Sequence, residues 1–133
     1  MMVPGVFVFG SNRAGRHGYG TPLYAFRHYG AMDGQGEGRQ GDSYAIPIHD
    51  ERMKTLPIPE IEDSFRRFSA YAASQHHEVF LLTTVGCGVG CHNPADIWAI
   101  LQRVDLPHNV VLLSSWAANY KIVPDPQHSK EGA

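Results

Sequence analysis

Three short runs of apolar, mostly β-branched or aromatic residues constrain the fold most: Val6-Phe-Val-Phe9, the stretch from Val79 to Val85, and Val110-Val-Leu-Leu113. None is long enough for a stable helix, and none alternates apolar with polar residues. That combination predicts strands covered on both faces, as in a sheet flanked by helices. Tyr44-Ala-Ile-Pro-Ile48 offers a fourth strand, which Pro47 restricts to a sheet edge or a strand end.

Between these runs the spacing turns helical. Thr21 and Pro22 supply an N-cap and a first-turn proline, Leu23, Phe26 and Tyr29 share a face, and Gly30 stops the segment. A longer helix over about 59–75 opens on Pro59 with Glu60, Glu62 and Asp63 at its positive end, and aligns Ile61, Phe65, Phe68 and Ala72. A third starts near 94 behind Asn93-Pro94-Ala-Asp96 and carries Ile97, Ile100, Leu101 and Val104. Residues 31–43, with four glycines and almost nothing apolar, read as a mobile loop. From about 120 onward the chain reads as a tail, so one domain is expected over 1–119 and a flexible end over 120–133.

The resulting order, strand and helix in alternation, implies an α/β layer fold with a largely parallel or mixed sheet. At 133 residues the chain buries enough surface to need no disulfide. Its only cysteines, Cys87 and Cys91, read as reduced thiols. No apolar run approaches the length of about 20 residues needed to span a membrane, and no signal peptide is evident, so a cytoplasmic protein without a membrane partner is expected. The net charge of −2 and the scattered basic residues disfavour duplex nucleic acid. Arg13 and Arg16, with Arg27 and Arg39 nearby in sequence, fit a local pocket for one small anion better.

Two glycine-rich stretches sit at strand-to-helix junctions, Gly10 to Gly20 and Gly86 to Gly90. Glycine there lets backbone approach a ligand, and amides at a helix start favour an anion. Such loops fall outside the carboxyl ends of strands, where open α/β sheets bind ligands. The first lacks the lysine and spacing of a P-loop, and Gly15-x-x-Gly18-x-Gly20 reverses the dinucleotide pattern. Gly10, Gly15, Gly18 and Gly20 exceed what a tight turn needs, which points to a ligand cradle.

Within the first loop, Asn12 has two readings, a contact to ribose or amide and a bond to its own loop backbone. Arg16 and His17 suit phosphate charge and acid/base work respectively, or are solvated loop residues. In the second loop, Cys87 is a nucleophile if a base lowers its pKa, and otherwise a small residue beside a ligand. Cys87, Cys91 and His92 lie too close along one loop for a convincing zinc site, so no metal and no cofactor are expected. His76-His77 reads as a helix cap, His49-Asp50 as a turn or a projection into the site, and Trp98 and Trp116 as packing, with Trp116 placed to stack on a ring.

The loops together resemble macrodomains, and among them a small phage and bacterial group carrying Phe-Gly-Ser-Asn-x-x-Gly-x-His-Gly, here Phe9 to Gly18. Gly36-Glu37-Gly38 ahead of Ser43 to Pro47 looks like the family's Gly-Glu segment, and Thr84 to Gly90 before Asn93-Pro94 looks like its phosphate loop. The resemblance covers about residues 6–115. It implies a three-layer fold with a mixed, largely parallel sheet flanked by helices, and a small-molecule ligand, ADP-ribose or another NAD-derived nucleotide phosphate. The ligand-binding residues would be Gly10, Ser11, Asn12, Gly15, Arg16, His17, Gly18 and Gly20 in one loop and Gly86, Cys87, Gly88, Val89 and Gly90 in the other, with Gly86 to Gly90 and the helix near 94 cradling phosphate. A second reading is an ADP-ribosyl hydrolase in which Asn12 and His17 orient water or the leaving group. A third is a phage or host interaction module with a protein partner. The chain departs from the family in lacking its early Gly-Asp-Ile-like segment, and in placing Arg16, His17 and Tyr19 where one hydrolase class has an acidic residue.

Overall fold

The computed structural model describes residues 5–87, 91–113 and 122–123. Strands β1 (Val6–Asn12), β2 (Gly38–Gln40), β3 (Ser43–His49), β4 (Phe80–Leu82), β5 (Val110–Leu113) and β6 (Ile122–Val123) form one sheet in the order β2-β3-β1-β4-β5-β6. Among the described strand pairings, β2–β3 is antiparallel and the rest are parallel. Helices α1 (Gly20–His28), α2 (Ile58–Ser74) and α3 (Pro94–Val104) complete the alternating α/β order.

Alternate residues of the central strand feed two cores. Val6 and Val8 join Tyr44, Ile46, Phe80 and Leu82 beneath α2 and α3, which contribute Ile61, Phe65, Phe68, Ile97 and Ile100. Phe7 and Phe9 face the other way, onto Ala25 of α1 and Tyr29 just after it. This division follows from chain direction. The β1-to-β3 connection steps one way along the sheet, whereas β3-to-β4 and β4-to-β5 step the other way, so a single crossover hand puts α1 on one face and α2 and α3 on the opposite one.

Helices α2 and α3 form where their periodicity and proline starts place them. Asn93 caps α3, its Oδ1 accepting from the Ala95 amide at 2.9 Å. Helix α1 differs in two respects. It begins at Gly20 with Tyr19 in the cap position, so Thr21 lies inside the first turn rather than capping it. Its sheet-facing residue is Ala25, joined by Tyr29 at its C-cap, while Phe26 is 45% exposed. The small Ala25 lets the helix sit close over Phe7, whose ring stacks on Tyr29 with centroids 4.7 Å apart.

Residues 31–43 are not loop throughout, because Gly38–Gln40 form β2. Gly34 N–H donates to Gly15 O at 2.8 Å, Asp42 N–H to Tyr29 O at 2.7 Å, and Gly38–Gln40 pair with β3. The close approaches that glycine permits satisfy the backbone of a stretch with almost no apolar side chains. β3 is not an edge strand, but β2 reaches only as far as Ala45, so Pro47 has a neighbour on the β1 side alone. β4 is shorter than the 79–85 run, because Thr83 turns its hydroxyl and amide onto Val8 O, at 2.7 and 3.2 Å. β6 lies within the stretch expected to be a tail.

Arg39 holds β2 against the far end of α2. Its guanidinium donates to both Glu78 carboxylate oxygens, at 2.9 and 3.0 Å, and to the Tyr71 hydroxyl at 2.9 Å. The paired Arg39 holds the Glu78 carboxyl below the usual glutamate range. A depressed folded-state pKa stabilises the protein above the unfolded value of about 4.3, and that contribution disappears as pH falls through the folded value. Glu78→Gln is therefore expected to cost about 1 kcal/mol at neutral pH and to shrink the stability lost on acidification by a similar amount. Urea denaturation of both proteins at about pH 7 and about pH 3 measures both effects.

Candidate functional site

β1 and β4 are parallel neighbours whose chains leave for opposite faces, β1 into α1 and β4 towards α3. A crevice opens where such connections part. It holds a cavity of about 580 Å³, within the usual range of about 300–1,000 Å³ for small-molecule sites. One wall is the end of β1, Gly10 to Asn12, and another is the start of α1 with Gly18 and Tyr19 before it. Ile48, His49 and Met53 close the β3 side, and Thr83 to Cys87 with Cys91 the β4 side. Both glycine stretches meet at this cavity, although Gly88, Val89 and Gly90 lie outside the described residues.

The first loop is held by its own backbone and by the 31–43 segment. The Asn12 side chain is buried and bonded reciprocally to Arg16, Nδ2 donating to Arg16 O at 3.0 Å and Oδ1 accepting from Arg16 N–H at 2.9 Å. The bond to the loop backbone is thus present, and Asn12 also lines the cavity. Ser11 Oγ donates to Gly36 O. Gly15 is a packing glycine: its φ is +71°, and a Cβ there would lie 2.8 Å from Gly34 Cα. Gly18, by contrast, has no atom near its would-be Cβ and stands open at the cavity.

His17 does not line the cavity. It is 2% exposed, edge-on to Phe9, with Nε2 3.2 Å from Gln40 Oε1. That oxygen already accepts from the Met32 amide at 2.7 Å, so Nε2 carries the proton and Nδ1 is left buried with no partner among the described residues. The ring belongs to the packing between the first loop and β2.

The expected cluster of arginines resolves into one. Arg13 pairs with Glu60 and Arg39 with Glu78, both away from the cavity, and Arg27 is exposed on α1. Arg16 lines the cavity with its side chain exposed. Beside it, α1 begins without a side-chain cap and without an acidic residue in its first turn. The amides of Gly20 and Thr21 have no partner among the described residues, which leaves the positive end of the helix facing the cavity.

The start of α3 is different. It is capped by Asn93 and carries Asp96 in its first turn, and its residues are not among those lining the cavity, whereas Gly86 and Cys87 of the loop before it are. The uncapped helix start is the feature that sequence reasoning missed. The signal for it was present in the lack of any Ser, Asp or Asn at position 19.

Cys87 is half-buried, its Sγ 3.7 Å from Val85 O, and burial pushes its thiol up to about 11, so it stays protonated at neutral pH. His92 donates to Leu56 O at 2.7 Å and is tied to structure. Asp50 accepts from the Arg52 and Lys54 amides, at 2.8 and 2.9 Å, and makes a turn, while His49 points to the cavity beside Cys91. Among the described residues no group of three His, Cys, Asp or Glu is placed to hold a metal, and no helix is long and apolar enough to cross a membrane. Trp98 packs against the core under α3, and Trp116 lies outside the described residues.

No protein-family model, curated protein or solved structure matches the chain.

Proposed function

We propose that the chain binds ADP-ribose, or a related NAD-derived or nucleotide phosphate, in the cavity between the ends of β1 and β4. The observation that carries this reading is the uncapped start of α1 on a cavity wall, where the Gly20 and Thr21 amides have no partner among the described residues and Arg16 lines the same cavity. Amides at a helix start and one guanidinium make a phosphate site. The family-like loop series from Phe9 to Gly18 gives the same expectation of a phosphate-bearing nucleotide. Tyr19, 76% exposed, and Met53, 39% exposed, stand at the mouth and offer flat or adaptable apolar contacts to a ring.

Binding is favoured over hydrolysis because neither nominated catalytic group is free in the cavity: Asn12 is engaged with Arg16 and His17 is turned into the packing. Calorimetry with ADP-ribose, NAD and ATP, with adenosine as the phosphate-free control, tests the reading. At least one phosphate-bearing ligand is expected to bind with one-to-one stoichiometry, with adenosine far weaker. Arg16→Ala is expected to weaken binding about tenfold, the worth of one charge-assisted hydrogen bond. Absence of heat with every phosphate ligand, for a protein shown to be folded, contradicts it.

A further inference from the structure

We propose that Cys91, with His49 beside it, is a reactive thiol site opening on the cavity, able to take hydroperoxides and other soft electrophiles. The fold brings the two residues together across 42 positions of sequence, Cys91 Sγ lying 3.8 Å from His49 Nε2. Both are half-buried and both line the cavity wall, so a small reagent reaches them. The imidazole is mounted on fixed backbone at the end of β3. His49 O accepts from the Arg13 amide at 2.9 Å, and the residue is bridged to Thr55.

An imidazole at this distance can accept the thiol proton and stabilise the thiolate, the nucleophilic form of cysteine. Cys87 supplies an internal contrast. It lines the same cavity, but its thiol faces Val85 O instead of a base, and burial favours its protonated form. Two cysteines four positions apart are thus placed for opposite reactivity.

With a hydroperoxide, the Cys91 thiolate attacks one peroxide oxygen and the O–O bond breaks. The sulfur is oxidised to sulfenic acid, and the departing oxygen is reduced and takes the proton held by His49, leaving as alcohol or water. Nothing in this step depends on a nucleotide in the cavity, so it stands or falls apart from the binding proposal.

Site-resolved labelling of the full chain with iodoacetamide at neutral pH, read by peptide mass spectrometry, is the test. Cys91 is expected to react about tenfold faster than Cys87, and His49→Gln to slow Cys91 about tenfold while leaving Cys87 unchanged. An unchanged Cys87 rate also certifies that the variant is folded. In Cys87→Ser, dilute hydrogen peroxide followed by dimedone is expected to place the adduct on Cys91. Equal rates at the two cysteines overturn the proposal, as does a Cys91 rate that ignores His49→Gln. So does a Cys91 in Cys87→Ser that labels no faster than an unstructured cysteine peptide.

Discussion

Gly36→Ala is expected to lose about 3 kcal/mol of stability, one of the largest effects available to a single methyl group in this chain. A Cβ at Gly36 would lie 3.0 Å from Arg13 Cα and closer still to the Asn12 carbonyl oxygen, which is backbone on both counts and cannot swing aside. Gly15 is confined in the same way against Gly34 and Gln35, with a positive φ in addition. These two glycines let the first loop and the 31–43 segment touch backbone to backbone. Gly18→Ala provides the matched control. Its Cβ would enter open space at an ordinary φ, so its stability is expected to stay within about 0.5 kcal/mol of the wild type. Chemical denaturation of the two variants and the wild type measures the difference. Equal, small effects at Gly36 and Gly18 would mean that the loops do not pack as described.

Asn12→Ala is expected to be the most damaging change at the cavity itself. The substitution strips the Arg16 backbone amide and carbonyl of their partners in a part-buried loop, at a cost of about 2 kcal/mol. It also frees the turn that sets Arg16 beside the start of α1, so phosphate-ligand affinity should fall at least as far as in Arg16→Ala. Asn12→Asp keeps the acceptor for the Arg16 amide and sets a carboxylate against the Arg16 carbonyl, so it should restore little of the loss. Thermal melting and ligand titration on the same samples distinguish a positioning residue from a ligand contact. A positioning role lowers both stability and affinity, whereas a ligand contact lowers affinity alone.

The parts of the fold legible in sequence are those whose signal is local. Helices α2 and α3 announce themselves through proline starts and through Ile61, Phe65, Phe68, Ile97 and Ile100 at helical spacing, all fully buried in the structure. β1 and β5 are short apolar runs with no competing reading. β2 was not legible, because Gly-Arg-Gln has no strand propensity of its own and becomes a strand only by pairing with β3. The face of α1 was misassigned because Leu23, Phe26 and Tyr29 satisfy the period as well as Ala25 and Tyr29 do. Only the need for a small residue over Phe7 and Phe9 decides between them.

At the site, the limit of the sequence is the double use of glycine. Gly15, which packs on other backbone, and Gly18, which borders a ligand-sized cavity, look identical in the string Gly15-Arg-His-Gly18. The orientation of His17 depends on Gln40, a contact 23 residues away that no local pattern carries. Arg13 and Arg39 were likewise removed from the anion site by Glu60 and Glu78, partners distant in sequence. What remained readable was the place, since a loop after a strand in an alternating α/β chain falls at the carboxyl edge of the sheet.

A phosphate at the start of α1 would be seen outright in a crystal structure of the protein soaked with ADP-ribose. Phosphate density is expected within hydrogen-bond distance of the Gly20 and Thr21 amides, with the Arg16 guanidinium turned towards it and the rest of the ligand filling the crevice between β1 and β4. Density confined to the start of α3, or ligand bound outside the crevice with the Gly20 and Thr21 amides untouched, would contradict it.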